Sequence, residues 1–451
     1  LSVCNDVVSY AKNLDIDECE AILCTKKILT VRITDSEIAE IKENFEKSIG
    51  ARMIHDKKIS SFESTLLEPK KIVNEALKST KNLTRREFWK SLPSNSKIPT
   101  LEKTNDPRVW EIDSTKVAEI ANQMIDAASH RLVSRISGSL NVVCDDFDLE
   151  NSNGLQLGER ATYLSAVINV DSEAGTAPVS GIGQANSRTL ADFDVTSVGR
   201  EAMQMCINSV NPQTCDVGTT SIIFEPIAMG ELLTFVFGPN FSLKTFSEKR
   251  SCFSEKYGAK IAADGFGLLD DPHMPNGLGT KGFDDEGSAT KQTPFVEDGI
   301  FVGTYSDSYN AFKENVESSA NACRSGLPLG RSSEPIPVAA PHNLTIKSST
   351  MSHDEVIRDT KNGILVSRLW YTYAVNPIKG DFSCTARSGI RIIQNGELKS
   401  PAKPVRIIHN LPVFLQNISH IANNSRTVLP WAALPVTAPT LRCDGISVSP
   451  I

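Results

Sequence analysis

Apolar residues in the first half of this chain alternate between two rhythms. Four stretches repeat at three- and four-residue spacing, the signature of a helix with one buried face. They are Val3, Val7, Val8 and Ala11; Ile72, Val73, Ala76 and Leu77 within 69–78; Val117, Ile120, Ala121, Met124 and Ile125; and Val195, Val198, Ala202, Met205 and Cys206 within 194–208. The third starts at Asp113-Ser114, a good N-cap pair, and runs to about Ser129. Between the helices lie strand-like runs. Ala21 to Ile33 is followed by a Thr34-Asp35-Ser36-Glu37 turn, and Ile38 to Ile59 has Gly50 as a break and His55-Asp56-Lys57-Lys58 as a hairpin tip. Further runs cover Arg131–Ile136, Leu140–Asp145 and Gln156–Val170. Helix followed by meander therefore occurs twice, over 1–80 and 110–170, with a polar, proline-bearing surface connection at 79–108. Glu173–Gln184, rich in Gly, Ala and Ser, reads as a mobile segment.

Val217–Asn240 reads as a short buried strand (Ser221–Glu225), Pro226 at a helix start, and one amphipathic helix. Met229, Leu232, Leu233, Val236 and Phe237 form its stripe, and Gly238 and Pro239 supply a left-handed cap and a stop. Beyond Leu278 strands and turns dominate, over 287–304, 363–374, 389–393 and 405–408, before a short helix at 411–421. The expected class is α+β: an N-terminal two-layer α/β domain with a mostly antiparallel sheet (1–210), then a β-rich domain carrying a few helices (211–451).

At 451 residues, 40% hydrophobic and 22% charged, the composition is that of a globular protein larger than one ordinary core. No apolar run approaches the ~18 residues of a membrane span. A net charge of −7 without a basic block argues against nucleic acid as a partner. The ten scattered cysteines show no metal-ribbon spacing and read as reduced thiols. The first residues look like an amphipathic helix rather than a leader, so the cytoplasm is the expected compartment.

Candidate chemistry is sparse. The closest histidine pairs, His342/His353 and His409/His420, stand eleven residues apart, so no helical zinc pair exists. Gly181-Ile182-Gly183 lacks the third glycine of a dinucleotide loop, Asn186 standing in its place. Asp284, Asp285 and Glu286 form the sharpest acidic cluster. Successive side chains alternate along an extended backbone, so a structural turn or peptide-cleft role is preferred to a cation site. Cys384 (near Arg387) and Cys443 are the candidate nucleophiles of an independent hydrolase, against which stands burial in strands. Trp370 and Tyr371 read as sheet core.

Several collinear segments resemble the TldD/TldE (PmbA) family, historically called modulators of DNA gyrase. They include LTVRITDSEI (Leu29–Ile38), SNGLQLGERATY (Ser152–Tyr163), the block from Leu268 to Ala311 containing FDDEG, LVSRLWYTYAVNPIKGDFS (Leu365–Ser383) and IIQNGELKSPAKPVRI (Ile392–Ile407). The resemblance implies dimers that close around an internal cavity and, in the TldD branch, a zinc peptidase with HExxxH on a helix and a cysteine near the C-terminus. Laid over that motif, this chain has Thr234 and Pro239 at the histidine positions and Phe235 at the glutamate; Cys443 lies beyond the expected ligand position. The chain therefore resembles the TldE/PmbA branch. The resemblance implies a non-catalytic subunit with no metal of its own, zinc being expected only in a TldD-like partner. That partner, or a second copy of this chain, and an unfolded peptide are the expected partners. The alternatives are the cysteine hydrolase and a non-enzymatic peptide- or protein-binding regulator.

Overall fold

A computed structural model describes residues 2–95, 97–215, 218–432 and 434–451. Val217, the first residue of the stretch that carries the helix above, lies outside them. The N-terminal half is built on a six-stranded antiparallel sheet. Its strands are β1 (Glu18–Thr34), β2 (Glu37–His55), β3 (Lys58–Ser64), β4 (Arg135–Asn151), β5 (Gln156–Ser172) and β6 (Val179–Ser187), in the order β3-β2-β1-β4-β5-β6. Two three-stranded meanders thus join through their first strands, Glu20 opposite Asn151 and Ile33 opposite Gly138.

Four helices cover one face: α1 (Val3–Lys12), α2 (Pro69–Thr80), α3 (Ser114–Ala128) and α4 (Val195–Ile207). Asp113 and Asp194 cap α3 and α4 through the amides of Lys116 and Ser197. Odd-numbered side chains of β1 enter this layer: Ala21 and Leu23 meet α1 and α2, while Leu29, Val31 and Ile33 meet α3 and α4. Even-numbered ones (Ile22, Cys24, Ile28) face the C-terminal half, where Phe283, Leu278 and Leu429 pack on them. With both faces covered, a strand need not alternate, which is why this sheet reads less regularly than its helices.

Three expectations are corrected here. Gly50 is no break, because β2 runs through it; a Cβ at that position would sit 1.9 Å from the Ser333 carbonyl oxygen, so glycine admits a backbone from the other half. The 173–184 segment is ordered from Val179, as β6 paired to β5. Its glycines let α4 approach: Cβ atoms on Gly181 and Gly183 would fall 2.0 Å from the carbonyls of Ala202 and Val198. The helix foreseen to Ile421 ends at Gln416, and Ile418–Ile421 is a strand.

In the C-terminal half, β7 (Gly218–Phe224), β8 (Asn362–Asn376), β9 (Asp381–Gln394), β10 (Val405–Asn410) and β11 (Leu441–Pro450) form a ring. β7 pairs with β8 and β11, β10 bridges β11 and β9, and β9 returns to β8. A second sheet of short strands, none longer than five residues among those described, lies between Leu268 and Ala438. The mixed α+β class is the one the sequence pattern predicts. No helix among the described residues is long and apolar enough to cross a membrane.

Buried charge joins the halves. Glu20 and Arg52 are cross-strand partners on the inward face of β1 and β2, 3.2 Å apart. Arg52 also reaches Glu286 at 2.7 Å, and Arg324 pairs with Glu20. Each of these side chains is at most 2% exposed. Arg52→Met leaves Glu286 without its counterion, and stripping one member of a buried pair costs roughly 3–5 kcal/mol. We expect its urea midpoint to fall accordingly, while Arg85→Met, at an exposed pair, leaves the midpoint where it is.

Candidate functional site

The acidic turn is buried and bonded within the protein. Asp284, Asp285 and Glu286 are wholly buried and point to different partners. Asp284 accepts from the backbone amides of Glu286, Ser288 and Ala322. Asp285 binds Lys281 at 2.9 Å and Arg331 at 2.8 Å, cations that hold its carboxyl well below the usual range against the opposing effect of burial. Glu286 holds Arg52 and the Ser308 amide. Every carboxylate is already satisfied within the protein.

Pro226 starts the central helix, as expected, but its interior differs from the single amphipathic helix. An α-helix, α5 (Pro226–Leu232), widens into a π-turn over Leu233–Phe237 and tightens into a 3₁₀ turn over Gly238–Phe241. Gly238 is right-handed (φ −49°) and ends nothing. Instead the buried Asn240 closes the segment, donating to the Val236 carbonyl and accepting from the Cys252 amide. Ile227 to Thr234 are buried without interruption, so the helix is a core element with no solvent face.

Thr234 is buried with its hydroxyl unpartnered, Phe235 is half-buried, and Pro239 is exposed. A hydroxyl, a phenyl ring and an imide offer no zinc donor set, so this helix does not fit the metal that the resemblance implies for the TldD branch. No histidine in the chain is followed by glutamate, as HExxxH requires. Among the described residues no three His, Cys, Asp or Glu side chains gather into a metal-holding group. The candidate thiols are poor nucleophiles. Cys384 (1% exposed) and Cys443 (0%) are sealed in strands, and burial pushes both thiols far up.

The same helix walls a cavity of about 620 Å³ between the two halves. Ser139, Asn141 and Asn169 line it from β4 and β5, Ser180 and Gln184 from β6, and Ile227 and Glu231 from α5. Arg368, Trp370, Arg387 and Trp431 also line it, as does the ion pair of Arg135 with Asp171. The indoles of Trp370 and Trp431 meet edge to face, 4.8 Å between centroids. Trp370 is half-buried and Tyr371 exposed, so neither is the sheet core that the sequence suggests. Glu231, 6% exposed, is pushed up to about 7 by burial, opposed by a hydrogen bond from Trp431 and the charge of Arg368. Sequence reading passed over it. The available signal was a single charged residue in the fifteen from Pro226 to Asn240.

Residues 217–450 match the PmbA/TldA metallopeptidase C-terminal domain. The chain belongs to the PmbA/TldD family. Its relatives in that family include the metalloprotease PmbA of Escherichia coli O157:H7, 22% identical over 409 residues (88% of this chain, 86% of that one). A metalloprotease of Methanothermobacter thermautotrophicus is 24% identical over 413 residues, covering 89% of this chain and 87% of the relative. The crystal structure of TldE from Thermococcus kodakarensis superposes with a TM-score of 0.89 at 21% identity, over 99% of this chain and 100% of that chain. The overall fold of this PmbA/TldD protein is thus the fold of TldE.

Glu231 also links the cavity to pH. A carboxyl raised from 4.5 to about 7 is better accommodated neutral, so its contribution to stability is complete below pH 4.5 and is lost as pH rises through 7. The charged or titratable groups facing it are Arg368 and Cys384. We expect Glu231→Gln to unfold at a higher temperature than the native chain at pH 8. At pH 4.5 the gain vanishes, as two melting curves would show.

Proposed function

We propose that this chain is a TldE-like, non-catalytic subunit of a TldD/TldE-type zinc peptidase, acting in the cytoplasm. It closes a chamber with a TldD-like partner and helps hold an unfolded peptide in the cavity beside α5. The carrying observation is the helix itself, which keeps its place in the core and beside the cavity with Thr234, Phe235 and Pro239 supplying no metal donor. Similarity in fold to a TldE supports the reading, as does membership of a family whose relatives are named metalloproteases.

A face for the partner is available. Tyr373 on β8 stands opposite Ser383 on β9, which stands opposite Ile408 on β10, so the three side chains share one row. Tyr373 and Ile408 are exposed there, and so are Val375 and Ile378 farther along β8 and in the turn after it. Exposed apolar side chains on this strand row and at the turn beside it suit a contact with that partner.

The purified chain is expected to bind no zinc and cleave no peptide; peptidase activity appears on mixing with a TldD-like subunit. Stoichiometric zinc, or peptidase activity of the lone chain, sinks the proposal. Ile408→Asp combined with Val375→Asp should abolish co-elution with that subunit while leaving the melting temperature of the lone chain unchanged.

A further inference from the structure

The buried arginines of this protein are all neutralised or fully bonded, with one exception. Arg52, Arg324 and Arg331 pair with carboxylates. Arg188 has none, yet donates to five carbonyls, those of Thr104, Thr162, Gly277, Leu278 and Thr280. Arg368, 7% exposed, has one hydrogen bond, from Nη1 to Asn169 Oδ1 at 2.8 Å, and no carboxylate within ion-pair distance among the described residues. Its remaining N–H groups are left to the cavity.

A second unpaired guanidinium stands beside it. The β8–β9 register shifts between Arg368, opposite Ser388, and Leu369, opposite Ala386. Arg387 is therefore the extra residue of a β-bulge, which turns its side chain out of the ordinary alternation. It lies with its Cζ 5.0 Å from the centroid of the Trp370 ring, while Arg368 lies 4.6 Å from the same ring. Trp370 thus holds two like charges together by cation–π contact. Glu231 and Asp171 act on Arg368 only at longer range: neither makes an ion pair with Arg368 or Arg387, and Asp171 is taken up by Arg135 at 3.0 Å. Like charges gathered at a cavity wall, with planar donors unspent, make a receptor for a planar anion.

We propose that Arg368 and Arg387 form a clamp for a carboxylate of the bound peptide. The inference rests on the peptide-holding role above and adds what it lacks, a polar anchor that fixes one end of an otherwise unspecified chain. Guanidinium forks match a carboxylate in plane and spacing, and Trp370 and Trp431 offer adjacent apolar surface to the residue that bears it.

The test uses the full chain and three fluorescein-labelled unfolded peptides of one sequence free of Asp and Glu, read by anisotropy. One has a free C-terminal carboxylate and one a C-terminal amide; the third is amidated and carries one internal Glu. The free acid is expected to bind at least about tenfold more tightly than the amide, the scale of a charged hydrogen bond. That difference should disappear in Arg368→Met/Arg387→Met. The exposed Arg387→Gln alone, whose fold is checked by its melting temperature, should remove part of it. If the internal-Glu peptide binds as tightly as the acid, and only with both arginines present, the clamp takes side-chain carboxylates. Equal binding of acid and amide, or a difference that survives the double substitution, overturns the clamp and leaves the peptide-holding role standing. Should none of the three peptides bind, both fall.

Discussion

Both faces of the six-stranded sheet are covered over most of its length, only the Glu37–Lys47 stretch of β2 standing out toward water, and most of the architecture follows from that. Helices cover one side, and the C-terminal half takes the other, bringing Phe283, Leu278 and Leu429 against β1, β4 and β5. A sheet so enclosed has to neutralise whatever charge it carries inward. Glu20, Arg52 and Lys26 stand on that inner face, and their partners come largely from the other half of the chain: Glu286 and Arg324 for the first two, the carbonyls of Leu327 and Leu329 for Lys26. Such pairs add little net stability over apolar replacements, since desolvation offsets most of their attraction. They do fix how the halves meet, because a misplaced approach leaves a bare charge in a dry interface.

What could be read from the residues divides along the same line. Helices α1 to α4 bury one face each, and their stripes and the cap at Asp113 were legible. The acidic turn was legible as a cluster, though the partners that hold it, Arg52 and Arg331, more than forty residues away, were not. Strands buried on both faces lose their alternation. Gly50, Gly181 and Gly183 read as weakness because their reason is a neighbouring backbone that only the folded chain brings near. The cavity was harder still. Arg387 owes its position to a register shift between two strands, which no property of the residue itself reveals.

Cavity and core share one helix. Because α5 is buried on every side, its shape is set by Phe224, Phe414 and the strands around it rather than by any ligand. A scaffold of that kind keeps its form when individual side chains on it are replaced, and this chain has the fold of TldE with Thr234, Phe235 and Pro239 on this segment. The cavity retains polar groups of its own in Glu231, Arg368 and Arg387.

The wide turn at Leu233–Phe237 has an evolutionary reading. A π-turn holds one residue more than the α-helix it interrupts, so it marks a length difference of a single residue. The bulge takes up that residue locally, so the side chains on either side keep their directions: Ile227 and Glu231 before it stay at the cavity, and Asn240 after it stays on the Cys252 amide. Chains of this fold that differ by one residue at this point would therefore keep the same cavity wall, with the surrounding strands unchanged.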